Sequence, residues 1–269
     1  MSSSPGIRKQ KVLAPDAGLE QLIQDRSHDT LIAVASDRRL TEDLALALLN
    51  RRDLPGKVLE ELFKNVALAK QKKVRLAIVM HLRTPRHISI PIIRYLYVFE
   101  LMQVALFPAV PADVKRMAEE AIIGKLANIS SGERHSLAKQ SSGRVAAAML
   151  LDKEERIMQA ALVNPQMTEA LLARALRTVE GTELLVAAVC CHEKWSRRLE
   201  VKTALLTNKN TPLPQVVQFA RELPVNILRE ILYSSRLDPE VKSYLKSVVE
   251  KRTSVLRSRP RRAGEGSLQ

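Results

Sequence analysis

Soft metal ligands cluster at one place in the sequence, Cys190-Cys191-His192-Glu193. A zinc site needs about four ligands at chelating spacing, and the chain holds no cysteine beyond these 2. The second histidine of a metalloprotease helix is also missing after Glu193. We therefore expect both thiols to pack as small apolar groups in the core, without a metal ion, a cofactor or a nucleophilic role.

The other titratable residues do not form a recognisable catalytic set. Acidic residues are adjacent in sequence at Glu60-Glu61, Glu119-Glu120 and Glu154-Glu155, so the two members of each pair point in different directions on a helix and are expected on solvated faces. The remaining histidines are scattered, and we interpret His81 and His87 as surface or capping residues. The sequence also lacks a glycine-rich phosphate loop, a serine nucleophile elbow and a dinucleotide fingerprint. We predict that the protein is not an enzyme.

The basic residues indicate a partner rather than a reaction. The formal net charge of +14 favours nucleic acid, acidic protein surfaces or anionic lipid as partners. Basic residues recur at a separation of 127 residues in the pairs Arg75 and Lys202, Arg94 and Arg221, and Lys115 and Lys242. Together with the cluster Lys64, Lys70, Lys72 and Lys73, they would form a surface for phosphates or for an acidic peptide. The alternative is ordinary solvated positions whose aliphatic stems cover apolar surface.

The same separation relates two longer segments. Residues 74–118 align with residues 201–245 without a gap, and the matches include Val74 with Val201 and the pair Thr84-Pro85 with Thr211-Pro212. We expect the two segments to share one helical arrangement, with both prolines in a first helical turn. Of the paired bases, Arg75, Arg94, Lys202 and Arg221 are predicted to face solvent.

The same residue types recur at the predicted helix boundaries, asparagine at helix ends and proline at helix starts. Apolar segments end at Asn50, Asn164 and Asn208, and asparagine tolerates the left-handed conformation that closes a helix. Helices restart near a proline, which is tolerated at the first helical position because its missing N–H would be unpaired there. These prolines are Pro55, Pro85, Pro111, Pro212 and Pro239. Between these signals, Glu183–Cys191 is apolar on every side and is predicted to be a fully buried helix.

Short paired helices, an early proline and a Val-Lys or Val-Arg near a helix start resemble the HEAT repeat and the broader armadillo class. The resemblance covers residues 17–250 and implies an all-α, right-handed α-solenoid of stacked helical hairpins, with roughly a dozen short helices. A compact helical bundle is the structural alternative. Residues 1–16 and the basic tail over residues 251–269 are predicted to be disordered, because both are rich in polar and charged residues.

The function predicted from this architecture is a non-enzymatic scaffold that binds a protein or peptide partner. The alternative is a nucleic-acid-binding solenoid that contacts phosphates, although aromatic residues for base stacking make up only 3% of the chain. A helical-repeat enzyme such as a DNA glycosylase or lyase is a distant third. Adjacent cysteines do not form a disulfide framework, and no apolar run approaches the ~20 residues of a membrane span, so we expect a cytoplasmic protein. The oligomeric state is not predicted.

Overall fold

A computed structural model describes residues 18–178, 183–233 and 237–258, and within them the chain forms helices and no strand. The helices are α1 (Leu19–Leu22), α2 (His28–Ser36), α3 (Glu42–Leu49), α4 (Gly56–Lys64), α5 (Val66–Ala69), α6 (Lys72–Met80), α7 (Arg86–Tyr95), α8 (Val98–Leu106), α9 (Ala112–Lys125), α10 (Ser131–Gln140), α11 (Gly143–Ala148), α12 (Glu155–Leu162), α13 (Glu169–Leu176), α14 (Glu183–Cys191), α15 (Leu199–Leu206), α16 (Leu213–Glu222), α17 (Val225–Leu232) and α18 (Pro239–Ser258). A 3-10 turn at Leu126–Asn128 follows α9.

Two details of the predicted layout need correction. The estimate of roughly a dozen helices was too low, because four-residue helices such as α1 and α5 carry too little periodicity to be recognised. The tail was predicted to be disordered from residue 251, but α18 continues to Ser258. The rest of that tail and the predicted N-terminal segment, residues 1–16, lie outside the described residues.

The prolines that mark helix starts take a different position from the predicted one. Pro55, Pro85, Pro111 and Pro212 are N-cap residues with extended backbone, and the helix begins at the next residue. Only Pro239 among the predicted set is a first helical residue. At the cap, as at the first helical position, proline removes an N–H that no helical carbonyl could accept.

The asparagines at helix ends act in two ways, Asn50 with a right-handed backbone and Asn164 and Asn208 through side-chain hydrogen bonds. Asn50 caps α3 with φ −69° and ψ −17°, which is right-handed. The buried Asn164 side chain donates to the carbonyls of Ala138 and Ser141, and its Oδ1 accepts the N–H of Gln166 at 2.7 Å. A buried amide is stable only when its donors and acceptor are satisfied, and these helix ends provide the partners.

Two compact units divide the chain, Met1–Ile129 and Ser130–Gln269. In the first unit α2 packs on α4, α3 on α6, α6 on α8, and α9 on both α7 and α8. In the second unit α11 packs on α13, α13 on α15, α15 on α17, and α18 on both α16 and α17. Each helix therefore buries its apolar face mainly against helices close to it in sequence. The single repeat domain over residues 17–250 stays a prediction.

The 127-residue separation extends well beyond the segments aligned from sequence. The first residues of α2, α3, α4, α6, α7, α8 and α9 precede those of α12, α13, α14, α15, α16, α17 and α18 by that same number of residues. We call residues 28–125 the first copy and residues 155–252 the second copy. The predicted common helix order of residues 74–118 and 201–245 is confirmed, and α5 is the element that the second copy replaces by a turn.

Hydrogen bonds repeat with the same separation. Thr84 Oγ1 donates to the carbonyl of Ile78 at 2.5 Å, and Thr211 Oγ1 donates to the equivalent carbonyl of Leu205 at 2.6 Å. In each copy the long last helix also places a base on the carbonyl that ends an earlier helix. These bonds are Lys125 Nζ to Leu96 O and Arg252 Nη1 to Leu223 O, both 2.7 Å. The two copies therefore share their closing contacts as well as their helix order.

The helix α14 is buried on one face only, not all round as predicted. Leu185, Val186 and Val189 form its buried face, whereas Leu184 and Cys191 are exposed. An entirely apolar sequence does not require a buried helix, since large apolar residues occur singly on protein surfaces without special function.

Candidate functional site

The six predicted basic residues occupy matching helix positions in the two copies but differ in exposure. Arg75 and Lys202 are each the fourth residue of their helices, α6 and α15, and both are half-buried rather than facing solvent as predicted. Arg94 and Arg221 lie in the last turns of α7 and α16 and are exposed. The last pair, Lys115 and Lys242, is uneven, with Lys115 half-buried and Lys242 exposed. A surface continuous through both copies stays a prediction.

In the second copy the half-buried base is neutralised within the chain. Lys202 Nζ lies 2.5 Å from Glu222 Oε2, and Gln218 Nε2 donates to the other carboxylate oxygen of Glu222 at 3.1 Å. The hydrogen bond from Lys202, followed by that from Gln218, holds the pKa of Glu222 below its ordinary value. Lys202 is thus held by a contact between α15 and α16.

In the first copy the equivalent base lines an open cleft. The cleft measures about 200 Å³ and is lined by Phe63, Ala69, Arg75, Pro91, Ile92 and Tyr95. Tyr95 stands where the second copy has Glu222, and it is 75% exposed. Arg75 Nε is buried and has no hydrogen-bond partner among the described residues. A buried N–H of a charged group without an acceptor carries a desolvation cost that a bound anion would relieve.

Basic and aromatic residues lie close in sequence to the residues that line this cleft. Lys72 and Lys73 are exposed in the first turn of α6, where the second copy has Leu199 and Glu200. The ring of Tyr97, just after α7, lies 6.1 Å from that of Phe99, and Tyr97 is exposed. The second copy has Pro224 and Asn226 at those positions. Sequence reasoning missed this aromatic surface, although position 95 lies inside the aligned segments and differs there in charge and size.

The bases outside the cleft have ordinary surroundings. Lys64 pairs with Glu61 at 2.8 Å, and Lys70 is exposed. Lys115 Nζ donates to the carbonyl of Pro108 at 3.4 Å, which ties it to the turn before its own helix. Neither interaction prepares an anion site, and Arg75 is distinguished from them by its buried, unpartnered Nε.

The thiols differ from the predicted core pair. Cys190 is half-buried, and burial raises the pKa of its thiol to about 11. Cys191 is exposed and Cys190 is only half-buried, so the prediction that both thiols are core groups was wrong. Among the described residues, no group of three or more His, Cys, Asp or Glu side chains is placed to hold a metal ion.

Glu154 and His81 have structural partners. Ser131 Oγ donates to Glu154 Oε2 at 2.6 Å, and this bond, with Arg156 and Arg134 nearby, lowers the pKa of Glu154. Arg134 bridges Glu154 and Asp152, so Glu154 belongs to a polar cluster in the second unit rather than to a solvated face. His81 Nδ1 accepts the N–H of Arg83, so its Nε2 donates to the carbonyl of Arg51 at 2.9 Å. His81 is a capping residue, as predicted.

Comparisons with known proteins add no relative. A scan against protein-family models gave no match. Searches of the curated proteins and of the solved structures gave no match either. No helix in the described part of the chain combines the length and the apolar character needed to cross a membrane.

Proposed function

We propose that this protein is a non-enzymatic interaction scaffold, a HEAT-like α-solenoid that binds a protein or peptide partner on the surface of its first copy. The supporting observation is the exposed Tyr95, which lines one cleft with Arg75, and the exposed Tyr97 two residues further on, in a chain where aromatic residues make up only 3%. Tyrosine and arginine are the residue types that contribute most to binding at protein interfaces. The cytoplasm stays its proposed location on the sequence argument.

The proposed solenoid rests on how successive helix ends are linked. Asn65 Nδ2 donates to the carbonyl of Asp37, 28 residues earlier, at 3.2 Å. Arg83 Nη1 reaches the carbonyl of Asp53 at 3.1 Å, 30 residues earlier. Asn208 Nδ2 reaches the carbonyl of Leu176 at 2.6 Å, 32 residues earlier. Contacts at nearly constant sequence separation are what stacked repeats produce, because each repeat touches chiefly its neighbours.

A photo-crosslinker placed at the proposed surface tests this function. With p-benzoyl-phenylalanine replacing Tyr95, irradiation in native lysate should yield a discrete adduct with a partner protein. The matched control carries the same group in place of Tyr233, a tyrosine of the second copy that is 91% exposed. Adducts that are identical at both positions, or absent at position 95, would contradict the proposed scaffold.

The second candidate function, nucleic-acid binding through phosphates, is favoured by the net charge of +14 and by exposed bases such as Arg94 and Arg221. Binding through about six phosphates would make log K fall with log[salt] at a slope of roughly −5, with little dependence on sequence. Fluorescence anisotropy with a 20-base oligothymidine and a 20-base-pair duplex measures this slope. The double change Arg94→Glu and Arg221→Glu should abolish such binding. If binding persists, these two residues do not contact the phosphates.

A further inference from the structure

The two copies differ in what faces the fourth residue of α6 and of α15. In the second copy a carboxylate supplied by the chain, that of Glu222, sits 2.5 Å from Lys202 Nζ. In the first copy the equivalent position is Tyr95, which brings no negative charge to Arg75. The second copy thus shows that a carboxylate can pair with the half-buried base at the fourth position of the helix.

We propose that the Arg75 cleft binds a carboxylate side chain of an acidic peptide segment, next to an apolar residue of the same segment. This inference rests on the proposed scaffold function and names the chemistry of its partner. The bound carboxylate pairs with Arg75 as the carboxylate of Glu222 pairs with Lys202 in the second copy, and it accepts hydrogen bonds from the guanidinium of Arg75. A guanidinium presents its donors in a planar fork that matches both oxygens of a carboxylate.

The lining of the cleft explains the apolar neighbour. Apart from Arg75, its walls are the rings and aliphatic groups of Phe63, Ala69, Pro91, Ile92 and Tyr95. A cleft of about 200 Å³ accommodates one side chain rather than a larger ligand. Phe63 and Pro91 replace Cys190 and Gln218 of the second copy, so this wall is more apolar in the first copy.

Charge complementarity selects an acidic segment over a neutral one. Lys72, Lys73 and Arg94 are exposed on α6 and α7, two of the four helices that line the cleft. No carboxylate of the described residues is paired with them. In the second copy Leu199 and Glu200 replace the two lysines, and Glu200 lies 3.9 Å from Arg177. Complementary charge raises the rate of encounter and excludes partners of the wrong sign. A phosphate backbone would satisfy Arg75 but would leave the apolar wall unfilled.

The test first selects peptide ligands without assuming their sequence. It then introduces a carboxylate next to Arg75 by substitution, so that the chain itself competes with the bound peptide. A random heptapeptide library displayed on phage is selected on the full chain, and the selected peptide is labelled with fluorescein for anisotropy titration. Selected sequences should combine Glu or Asp with a neighbouring Leu, Phe or similar residue. The variant Tyr95→Glu, which reproduces the ion pair of the second copy, should weaken binding at least about tenfold.

Matched variants separate charge from shape. Tyr95→Gln removes the same ring as Tyr95→Glu and has nearly the same size but no charge, so Tyr95→Glu should bind the peptide at least about tenfold more weakly than Tyr95→Gln. Arg75→Met should lower the affinity for the peptide at least about tenfold. Glu222→Gln in the second copy should leave that affinity unchanged. Circular dichroism confirms the fold of each variant, and Tyr95→Glu changes an exposed side chain, so at least one decisive variant retains the fold.

Each other outcome overturns the inference. Peptides without enriched acids, peptides that bind Tyr95→Glu as well as the unmodified chain, or a library without binders all contradict it. Displacement of the peptide by a 20-base oligothymidine, with Tyr95→Glu and Tyr95→Gln equally weak, would assign the cleft to nucleic acid. A crosslink at position 95 combined with any of these results would preserve the scaffold function while rejecting the acidic peptide.

Discussion

The two copies share their helices and differ in their surfaces. Seven helix starts coincide at one separation, and the bonds from Thr84 and Thr211 to the carbonyl six residues earlier are the same in both. Yet α6 and α7 carry exposed basic and aromatic residues, whereas between α15 and α16 the base Lys202 is neutralised by Glu222. Contacts that terminate and pack helices are the same in both copies, while exposed positions differ freely.

This difference indicates where function lies. A buried residue such as Leu101 or its counterpart Leu228 is required for packing in either copy, so its presence says nothing about a partner. Tyr95 and Glu222 are both exposed at the end of equivalent helices, and neither is needed for the helix to form. We therefore propose the first copy, which leaves its base without a carboxylate, as the one that binds a partner.

Thiol reactivity gives the largest expected contrast, and it tests the equivalence of α4 and α14. Cys190 corresponds to the half-buried Phe63, and Cys191 corresponds to the exposed Lys64. With a pKa of about 11, the Cys190 thiol is ionised in roughly one molecule in a thousand at pH 8, and the thiolate is the reactive form. Cys191 should therefore react with a thiol reagent at least about 100-fold faster in the native protein.

The control for this measurement is Cys191→Ser, which should leave only the slow phase until the protein is unfolded. Equal rates for the two thiols in the native state would show that position 190 is not turned inward like Phe63. The helix equivalence would then fail at α14.

Core truncation tests whether equivalent positions have equivalent energetic weight. Leu101 and Leu228 are fully buried in α8 and α17, and replacing either by alanine should lower the free energy of unfolding by about 3 kcal/mol, because apolar contacts are lost and a cavity remains. Leu82→Ala, at a 60% exposed position, is the control and should cost less than about 0.5 kcal/mol. Urea denaturation measures each change. If only one of the two leucine substitutions lowers the free energy of unfolding, the two copies are equivalent in helix order but not in core packing.

The features predictable from sequence are those that depend on local rules. Proline and asparagine marked helix boundaries because each changes which backbone groups can be paired, whatever the tertiary context. The separation of 127 residues was visible because core residues such as Val74 and Val201 must keep their apolar character. The all-helical class followed from both signals.

What sequence could not predict depends on which side chains meet in space. Asn164 was expected to act through its backbone, but its side chain donates to carbonyls more than 20 residues earlier. Likewise, Arg75 and Lys202 were predicted to face solvent, because a basic residue in an apolar helix has no local sign of burial. The Arg75 cleft becomes apparent only when Tyr95 and Glu222 are known to occupy one position, 20 residues from the bases that they face.

The smallest expected effect concerns the ion pair that distinguishes the second copy. Lys202 lowers the pKa of Glu222 in the folded protein, so the folded state favours the ionised carboxylate. This contribution is fully present above 4.5, the ordinary pKa, and it is lost as the pH falls from there through the lowered value. Because the Glu222 side chain is 40% exposed, solvent screens the pair, and its contribution at pH 7 should be about 0.2–1 kcal/mol.

Glu222→Gln tests this contribution against its counterpart in the first copy. The variant should be slightly less stable than the unmodified chain at pH 7, and the two should become equally stable at acidic pH, once Glu222 is protonated. Tyr95→Gln should show no such pH dependence, since Tyr95 brings no carboxylate to Arg75. Urea denaturation at several pH values between 7 and 3, repeated with Lys202→Met, isolates the pair. A Glu222→Gln effect that is the same at every pH, or that persists in Lys202→Met, would show that Lys202 is not neutralised by Glu222. The second copy would then no longer show how a carboxylate occupies the cleft of the first.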